Sequence, residues 1–211
     1  MTGGATHRSL QRALDTLAVP GLLIGHRVIS PGDEDTLREA EAASISSTNP
    51  NVRRASGAAR IVARGLLMRL GYPDAQVPKG AGGAPIWPAG VVGSLAHDEA
   101  VAVAAVGLRR DFASIGIDVE PAGALPADML ALVVTPRERR VIDDDPVRAR
   151  LLFAAKEAVY KAIYPLDGVF LEFGDIEVDL ATAIATTRMG RNLTLRSCVS
   201  SHIVALALAQ M

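Results

Sequence analysis

Two acidic residues in the segment SIGIDVE, residues 114–120, stand at a spacing that could bind a metal ion. If the segment is a strand, its period of two puts Asp118 and Glu120 on one face, about 7 Å apart along the chain. Two carboxylates at that distance repel each other unless a cation lies between them, and their hard oxygen atoms suit Mg²⁺ or Mn²⁺ better than Zn²⁺. A solvated edge strand would show the same pair, so both interpretations stay open on this segment alone.

A second segment, FAAKEAVYKA at residues 153–162, brings one carboxylate and two amines close together. At 100° per residue of a helix, Glu157 and Lys161 lie nearly opposite the apolar side. They form an i,i+4 pair with the acid first, which stabilises a solvated helix only slightly. Phe153 and Tyr160 lie at nearby angles, and aromatic residues are only 4% of the chain, so we predict that this side of the helix lines a cleft.

His97 follows a segment rich in Gly and Pro, residues 77–93, which we predict to be a long loop. A loop of that length inside a compact domain is usually functional. A single histidine is more often structural than functional, but the junction of a loop and a strand is where binding groups are commonly presented. Ser94 lacks the nucleophile-elbow pattern, and the sequence contains neither G-x-x-x-x-G-K-[ST] nor G-x-G-x-x-G, so the two common nucleotide loops are excluded.

Length and composition exclude several classes of protein. The 211 residues can form one large domain or two lobes of half that size, and 49% hydrophobic and 21% charged residues are ordinary for a globular fold. A net charge of −1 argues against a general nucleic-acid-binding protein. No segment approaches the roughly 20 uninterrupted apolar residues that a membrane-spanning helix needs. The single Cys198 fits a reducing compartment, so we expect a cytoplasmic protein with no nucleic-acid or membrane partner.

Helix and strand signals indicate which elements position these groups. Capping and proline signals predict helices over 50–70, from 136 onward, and over 146–165, while alternating apolar residues predict strands over 99–106, 114–120 and 202–209. We expect the first two strands to pair through the turn GLRRD. The segments SLAHDEAVAVAAV and SSHIVALALAQ resemble each other, which indicates either two lobes of similar build or a chance likeness between two alanine-rich strands.

Four motifs in order resemble one enzyme family. They are R-R-x-S-G-x-A-R-x-x-A-R (53–64), G-A-P-x-W-P-x-G-V-V-G-S-x-x-H (83–97), G-I-D-V-E (116–120) and F-x-A-K-E-A-x-Y-K-A (153–162). The set is similar to the 4′-phosphopantetheinyl transferases, and most similar to the enterobactin-type branch of the surfactin-type class. The likeness covers residues 50–175, and the first 45 residues match only loosely.

The resemblance implies an α+β fold of two similar lobes related by a pseudo-twofold axis. Each lobe would pack helices on a small, mostly antiparallel sheet, with the active site between the lobes. The N-terminal lobe, residues 1–110, would hold the helix and loop that bind the phosphates of coenzyme A, and the C-terminal lobe, residues 111–211, would hold the metal carboxylates and the catalytic helix. Proteins of this branch act as single chains, so we expect a monomer.

The resemblance also implies roles for individual residues. Three acidic residues would hold a Mg²⁺, or a Mn²⁺, on the pyrophosphate of coenzyme A: Asp118, Glu120 and Glu157. Residues that would bind the 3′-phosphate and neighbouring phosphates are Arg53, Arg60, Lys79 and His97. Two lysines would lie along the pyrophosphate, Lys156 and Lys161, and the catalytic residues would be Glu157 and Lys161.

The reaction implied is the transfer of 4′-phosphopantetheine from coenzyme A to a serine of an apo acyl or peptidyl carrier protein, releasing adenosine 3′,5′-bisphosphate. This is holo-acyl-carrier-protein synthase activity, which serves siderophore, polyketide or nonribosomal peptide biosynthesis. Glu157 would take the serine proton directly or through a metal-bound water, and Lys161 would neutralise the leaving phosphate. The alternatives are a coenzyme A-binding module with impaired catalysis and a Mg²⁺-dependent phosphoesterase built on the D-x-E pair.

Two residues depart from the family pattern beside His97. The family usually has Ser or Thr before this histidine and Cys or Ser after it, whereas this chain has Ala96 and Asp98. Ala96 removes one hydroxyl contact, and Asp98 brings a negative charge near the phosphates. We therefore expect weaker binding of coenzyme A without loss of activity.

A basic cluster suggests a docking surface for an acidic carrier protein. Its members are Arg137, Arg139, Arg140, Arg148 and Arg150. Long-range attraction would favour docking there. A solvated helix face balanced by the acidic residues at 143–145 is an equally good interpretation of the sequence.

Overall fold

The computed structural model describes residues 2–143 and 145–211. Its α-helices are α1 (Thr2–Asp15), α2 (Glu39–Ser44), α3 (Pro50–Arg69), α4 (Ala127–Val133), α5 (Pro136–Ile142) and α6 (Pro146–Asp167). Its strands are β1 (Leu22–Val28), β2 (Val91–His97), β3 (Val101–Leu108), β4 (Ser114–Pro121), β5 (Ile176–Asp179), β6 (Ile184–Thr187), β7 (Asn192–Val199) and β8 (His202–Ala209). No helix in the described part of the chain is both long enough and apolar enough to cross a membrane.

The strands form two antiparallel sheets, so the fold is mixed α/β. The first sheet has the order β1-β3-β2, and the second has the order β4-β8-β7-β6-β5. The three predicted strands are present, but the predicted pairing of residues 99–106 with 114–120 is wrong. β3 pairs with β1 and β2, whereas β4 pairs with β8. The turn after β3 buries Phe112 and bonds Ala113 N–H to the Ala209 carbonyl, which directs the chain into the second sheet.

The side-chain alternation predicted for β4 is present and sets the orientation of the site. Ile115, Ile117 and Val119 are buried in a cluster with the apolar residues of β2 and β3, so this face joins the two sheets. The opposite face of β4 lies against α6, and it carries Asp118 and Glu120. The two predicted metal ligands of the D-x-E pair therefore face the helix of the second motif.

Both long helices begin where the sequence predicts. The Asn49 side chain caps α3, which ends at Arg69, one residue short of the prediction. The Asp145 side chain caps α6, but this helix continues past Pro165 to Asp167. Pro165 removes one backbone donor in the last turn, yet Gly168 N–H still bonds the Tyr164 carbonyl and closes the helix, so the predicted stop at 165 is wrong by two residues.

The Gly- and Pro-rich segment is shorter as a loop than predicted. Residues 91–93 belong to β2, where Val92 pairs with Gly107 and Gly93 with Val106. His97 consequently lies at the C-terminal end of β2 rather than at a loop-to-strand junction. The rest of the segment contains a short 3-10 turn at Ala81–Gly83.

Gly116 allows β4 and α6 to approach each other unusually closely. A Cβ atom at this position would lie 1.8 Å from the Ala158 carbonyl oxygen and 2.8 Å from the Ala162 nitrogen. Neither backbone atom can move without moving the helix. The absence of a side chain at Gly116 therefore sets the distance between the carboxylates of β4 and the charged residues of α6.

We predict that Gly116→Ala lowers the free energy of unfolding by at least about 2 kcal/mol, because α6 must shift away from β4. Urea denaturation followed by circular dichroism would measure this. Gly123→Ala is the matched control, since a Cβ atom there meets nothing within 4 Å. Equal stability of the two variants would show that the contact between β4 and α6 is loose.

Candidate active site

The β4 and α6 elements bring the two acidic motifs together. Asp118 is buried, with 6% exposure, and Lys161 Nζ donates a hydrogen bond to its Oδ1 atom at 2.6 Å. Arg150, two turns before Glu157 on α6, donates from Nη1 to Glu120 Oε2 at 2.7 Å. Lys161 therefore pairs with a carboxylate from another element rather than forming the surface pair with Glu157 that the helix spacing suggests.

Burial and mutual repulsion act on all three carboxylates. Burial raises the pKa of Asp118 to about 6, against the opposing charge and hydrogen bond of Lys161, and the charge of Glu157 raises it further. Burial also raises the pKa of Glu120, and the charge of Asp118 adds to that shift. The pKa of Glu157 is raised by burial, which outweighs the charge of Lys161, and by the charge of Glu120. Asp118, Glu120 and Glu157 thus share one electrostatic environment.

The donor set fits a hard divalent cation. Asp118 Oδ2 is buried and has no hydrogen-bond partner among the residues that the structure describes. An ionised oxygen in that position is costly unless a cation compensates it, and carboxylate oxygens are the ligands that Mg²⁺ prefers. Within residues 2–143 and 145–211, however, no three His, Cys, Asp or Glu side chains form a ready-made metal cluster. The metal site at Asp118, Glu120 and Glu157 therefore stays a prediction.

A small basic pocket lies beside this acidic group. Its volume is about 250 Å³, and its lining includes Ser56, Arg60, Lys79 and His97. Arg60 Nε donates to the Val77 carbonyl at 2.9 Å, and Nη1 donates to the Ser56 carbonyl at 3.1 Å, which fixes the guanidinium. The positions of Arg60, Lys79 and His97 are compatible with binding one phosphate group together.

The electrostatics of His97 connect the basic pocket to α6. Partial burial lowers the pKa of His97, and the positive charges of Lys161 and Arg60 act in the same direction, while Asp98 opposes them. His97 therefore lies within electrostatic reach of a lysine from the second sheet's helix. Basic groups from both parts of the chain converge on one region.

Arg53 lies at the edge of this pocket. It is half-buried, and its Nη1 atom donates to the Ile45 carbonyl at 3.3 Å. Ile45 is one of the residues that line the pocket. The structure thus joins Arg53 to the pocket wall, and its assignment as a phosphate ligand stays a prediction.

A larger cleft of about 680 Å³ opens between the Gly- and Pro-rich loop and the C-terminal half of α6. Lys79 lines both cavities, and Lys161 and Tyr160 line the cleft from the helix side. Phe153 instead packs against Phe173, with ring centroids 5.5 Å apart, in the core of the second sheet. Of the two aromatic residues that we expected beside Glu157, only Tyr160 faces the cleft.

Three further lining residues of the cleft were missed by sequence reasoning. They are Trp87, Arg109 and Tyr164. The signal available for Trp87 was its rarity, because it is the only tryptophan in the chain. Tyr164 packs tightly on the loop, since a Cβ atom at Gly82 would lie 2.1 Å from its hydroxyl oxygen. Arg109 adds a third positive charge to the lining.

Lys156 lies outside both cavities. Its side chain is fully buried, and Nζ donates to the Val133 carbonyl at 2.7 Å, to Glu138 Oε2 at 2.8 Å and to the Phe173 carbonyl at 3.0 Å. Three acceptors saturate the three N–H donors of an ammonium group. Burial lowers the pKa of Lys156, and the hydrogen bond with Glu138 opposes that shift. The prediction that Lys156 contacts the pyrophosphate is therefore wrong.

Comparison with known proteins places the chain in a family. A model of the 4′-phosphopantetheinyl transferase N-terminal domain matches residues 40–107, and a model of the 4′-phosphopantetheinyl transferase superfamily matches residues 114–207. The chain belongs to the 4′-phosphopantetheinyl transferase family. The two matches include every transferase motif found in the sequence.

Three transferases of this family are similar to the chain over more than half of its length. The chain is 43% identical over 144 residues to 4′-phosphopantetheinyl transferase Svp of Streptomyces mobaraensis, covering 65% of this chain and 58% of that protein. Against 4′-phosphopantetheinyl transferase Npt of Nocardia iowensis the identity is 44%, covering 66% and 64%. Against 4′-phosphopantetheinyl transferase PptT of Mycobacterium tuberculosis it is 42%, covering 58% and 56%.

The chain spans between 56% and 64% of the length of these three transferases. The solved structure of Thermotoga maritima holo-[acyl-carrier-protein] synthase is 20% identical to the chain with a TM-score of 0.36, covering 46% of this chain and 63% of that chain. This structural likeness is too low to support an inference.

We predict that Lys156→Met lowers the free energy of unfolding of this transferase-family chain by about 3–5 kcal/mol, because it leaves the buried Glu138 carboxylate without its cation. Urea denaturation would measure the loss. Lys79→Met is the control, since Lys79 is exposed and its loss should change stability by less than about 0.5 kcal/mol. Normal stability of Lys156→Met combined with weaker binding of coenzyme A would restore Lys156 as a phosphate ligand.

Proposed function

We propose that this chain transfers 4′-phosphopantetheine from coenzyme A to a serine of an apo carrier protein and releases adenosine 3′,5′-bisphosphate. The observation that carries the proposal is the position of Lys161. It is bonded to the buried Asp118, lines the large cleft, and lies within electrostatic reach of His97 in the basic pocket. Lys161 thus lies between the carboxylates of β4 and the basic pocket. This position suits a pyrophosphate, since a different group is attached at each of its two ends.

We propose roles for the chain's own residues in binding and orienting coenzyme A. Arg60, Lys79 and His97 would hold the 3′-phosphate in the small pocket, and Lys161 would lie along the pyrophosphate. The aromatic lining of the large cleft, with Trp87, would cover organic parts of the ligand and exclude water. Asp118, Glu120 and Glu157 would hold Mg²⁺ or Mn²⁺, which supplies Lewis-acid stabilisation of phosphate charge when bound.

The transfer step requires a base and a positively charged group near the phosphorus. The serine oxygen forms a bond to the phosphorus that carries pantetheine, and the bond from that phosphorus to the oxygen of adenosine 3′,5′-bisphosphate breaks. Glu157 would accept the serine proton, a role that its raised pKa favours. Lys161 would stabilise the negative charge that develops on the leaving oxygen.

Several finer points belong to the same proposal. We place the chain in the enterobactin-type branch, since it is 32% identical over 84 residues to Enterobactin synthase component D of Salmonella typhimurium. We treat residues 1–110 and 111–211 as two lobes of a monomer, related by a pseudo-twofold axis, with the active site between them. We also propose that the protein acts in the cytoplasm, in siderophore, polyketide or nonribosomal peptide biosynthesis.

The proposal is tested by incubating the chain with Mg²⁺, coenzyme A and an apo carrier protein and measuring the mass of the carrier. We expect the mass increment of one phosphopantetheine group. Calorimetric binding of coenzyme A without any increment would favour the impaired binding module. Release of adenosine 3′,5′-bisphosphate without modification of the carrier would favour the phosphoesterase.

We predict that Glu157→Gln lowers the turnover number at least about 100-fold, the usual contribution of a general base. Glu39→Gln, at an exposed residue of α2, is the control and should leave turnover unchanged. Near-normal turnover of Glu157→Gln with intact metal binding would remove Glu157 as the base. Lost metal binding with retained coenzyme A binding would assign Glu157 mainly to the metal.

The basic cluster is smaller as a docking surface than the sequence suggests. Arg150 is bonded to Glu120 and to the Ala124 carbonyl, so its guanidinium is held beside the carboxylates of β4. Arg139 and Arg140 are exposed and line a shallow groove at α5, and the apolar residues Leu132 of α4 and Val141 of α5 are exposed as well. Positive charge beside exposed apolar groups fits an acidic, amphipathic helix, and we propose that the carrier protein binds here.

We predict that the double variant Arg139→Glu/Arg140→Glu raises KM for the carrier protein about tenfold and leaves KM for coenzyme A unchanged, because charge reversal repels an acidic partner. Steady-state kinetics with each substrate varied in turn would separate the two effects. Arg8→Glu/Arg12→Glu on α1 has the same change of net charge and should behave as the parent chain. An unchanged KM for the carrier in the α5 variant would place the docking surface elsewhere.

A further inference from the structure

One contact between a histidine and a carboxylate links the two sheets beside the basic pocket. His202, at the start of β8, places Nε2 at 3.1 Å from Oδ2 of Asp98, in the turn between β2 and β3. The two side chains are only 9% and 10% exposed. Asp98 Oδ1 also accepts the backbone N–H groups of Ala100 and Val101, each at 2.7 Å. Asp98 Oδ2 lies near His202 but makes no hydrogen bond of good geometry with any residue that the structure describes, so this contact is one of proximity.

This contact indicates a different role for Asp98, the residue that departs from the family pattern beside His97. Burial alone would raise the pKa of Asp98, but the nearby His202 and the two backbone amides outweigh it and lower the pKa. Part of the charge of Asp98 is therefore compensated on the far side of the turn. The same charge still acts on His97 and on Glu120.

The strand geometry separates the two neighbours. Side chains of consecutive residues at the end of a strand point to opposite sides, so His97 lines the basic pocket while Asp98 reaches β8. β8 lies directly against β4, with Ala205 opposite Asp118 and Ile203 opposite Glu120. The Asp98–His202 pair thus connects the strand that carries His97 to the sheet that carries the acidic group.

The apolar cluster that joins the two sheets supplies little direction of its own, because its buried side chains are Val, Ile, Leu, Ala, Phe and one Cys and the burial of apolar area is non-directional. A polar contact between a carboxylate and an imidazole 3.1 Å apart depends more strongly on the positions of its two groups. It also joins the two similar segments noted in the sequence, since Asp98 follows the SLAH stretch and His202 ends the SSH stretch.

We propose that the Asp98–His202 pair is an interlobe latch that positions His97 for the phosphates of coenzyme A relative to the carboxylates of β4. The proposal rests on the proposed transferase function. Asp98 and His202 are positioning residues, because they act through His97 and touch no reacting group. Their loss should weaken coenzyme A binding more than it slows turnover.

The latch and the expected repulsion by Asp98 make opposite predictions. If Asp98 repels the phosphates, both Asp98→Ala and Asp98→Asn should tighten binding of coenzyme A. If the latch positions His97, Asp98→Ala should weaken binding roughly three- to tenfold, the effect of losing one polar contact at a partly open site. Asp98→Asn should stay within about twofold of the parent, because its amide keeps the backbone bonds and can still bond the imidazole.

The experiment measures the dissociation constant of coenzyme A by calorimetry and KM and kcat by the mass assay. His202→Leu breaks the latch without touching the turn, and we expect it to match Asp98→Ala, with His202→Gln rescuing part of the loss. The double variant Asp98→Ala/His202→Leu should bind no more weakly than either single variant. Glu99→Ala, which removes an exposed charge from the same turn, is the control and should bind as the parent chain does.

Three results would overturn the latch: tighter binding in the Asp98 variants, additive effects in the double variant, or parental binding in His202→Leu. If Asp98→Ala does not fold, His202→Leu and Asp98→Asn still decide between the two interpretations. Failure of the parent chain to modify any carrier would overturn the proposed function. In that case additive urea midpoints for the single and double variants would overturn the latch separately, since that measurement needs no substrate.

Discussion

The close approach of β4 to α6 at Gly116 is the contact on which the site depends. Backbone atoms of Ala158 and Ala162 occupy the space where any other residue would place a side chain. This distance lets Lys161 reach Asp118 and lets Arg150 reach Glu120, so two ion pairs form between one strand and one helix face. The small side chains of Ala158 and Ala162 on α6 also help to make this close approach possible.

The cost of burying these charges explains why the site has both signs. Three carboxylates with raised pKa values would destabilise the folded chain if they stood alone. Lys161 and Arg150 offset part of that cost. Asp118 Oδ2 has no hydrogen-bond partner among the described residues, so its charge still calls for a cation. A ligand that brings both a metal ion and phosphates would satisfy the remaining acidic oxygen and the free basic groups together. The charges of the site therefore agree with the proposed metal-bound, phosphate-bearing substrate.

Local signals predicted the elements well, because they depend on neighbours in the chain. The caps of α3 and α6 and the alternation of β4 and β8 follow from capping chemistry and side-chain period, and these predictions are confirmed. The partner of β4 could not be predicted in the same way, since β8 lies more than 80 residues later and pairing depends on the whole sheet. The same limit hid the Asp98–His202 contact, although both histidine segments were noted in the sequence.

In this chain, charged residues with a structural role differ from those assigned to the ligand in how many of their donors or acceptors are hydrogen-bonded to the protein. A sequence motif does not contain that information. Lys156 and Lys161 belong to one motif, yet Lys156 has all three donors bonded inside the core, whereas Lys161 has one such bond and lines a cleft. In α3 the two arginines differ in the kind of partner. Arg64 is paired with the fully buried Glu41, while Arg60 donates only to backbone carbonyls and lines a pocket. Spacing along a helix fixes the direction in which a side chain leaves the backbone, but a long side chain reaches acceptors that only the folded chain brings near. Residues of the motifs that keep unsatisfied donors or acceptors in a cavity are therefore the ones to assign to the ligand.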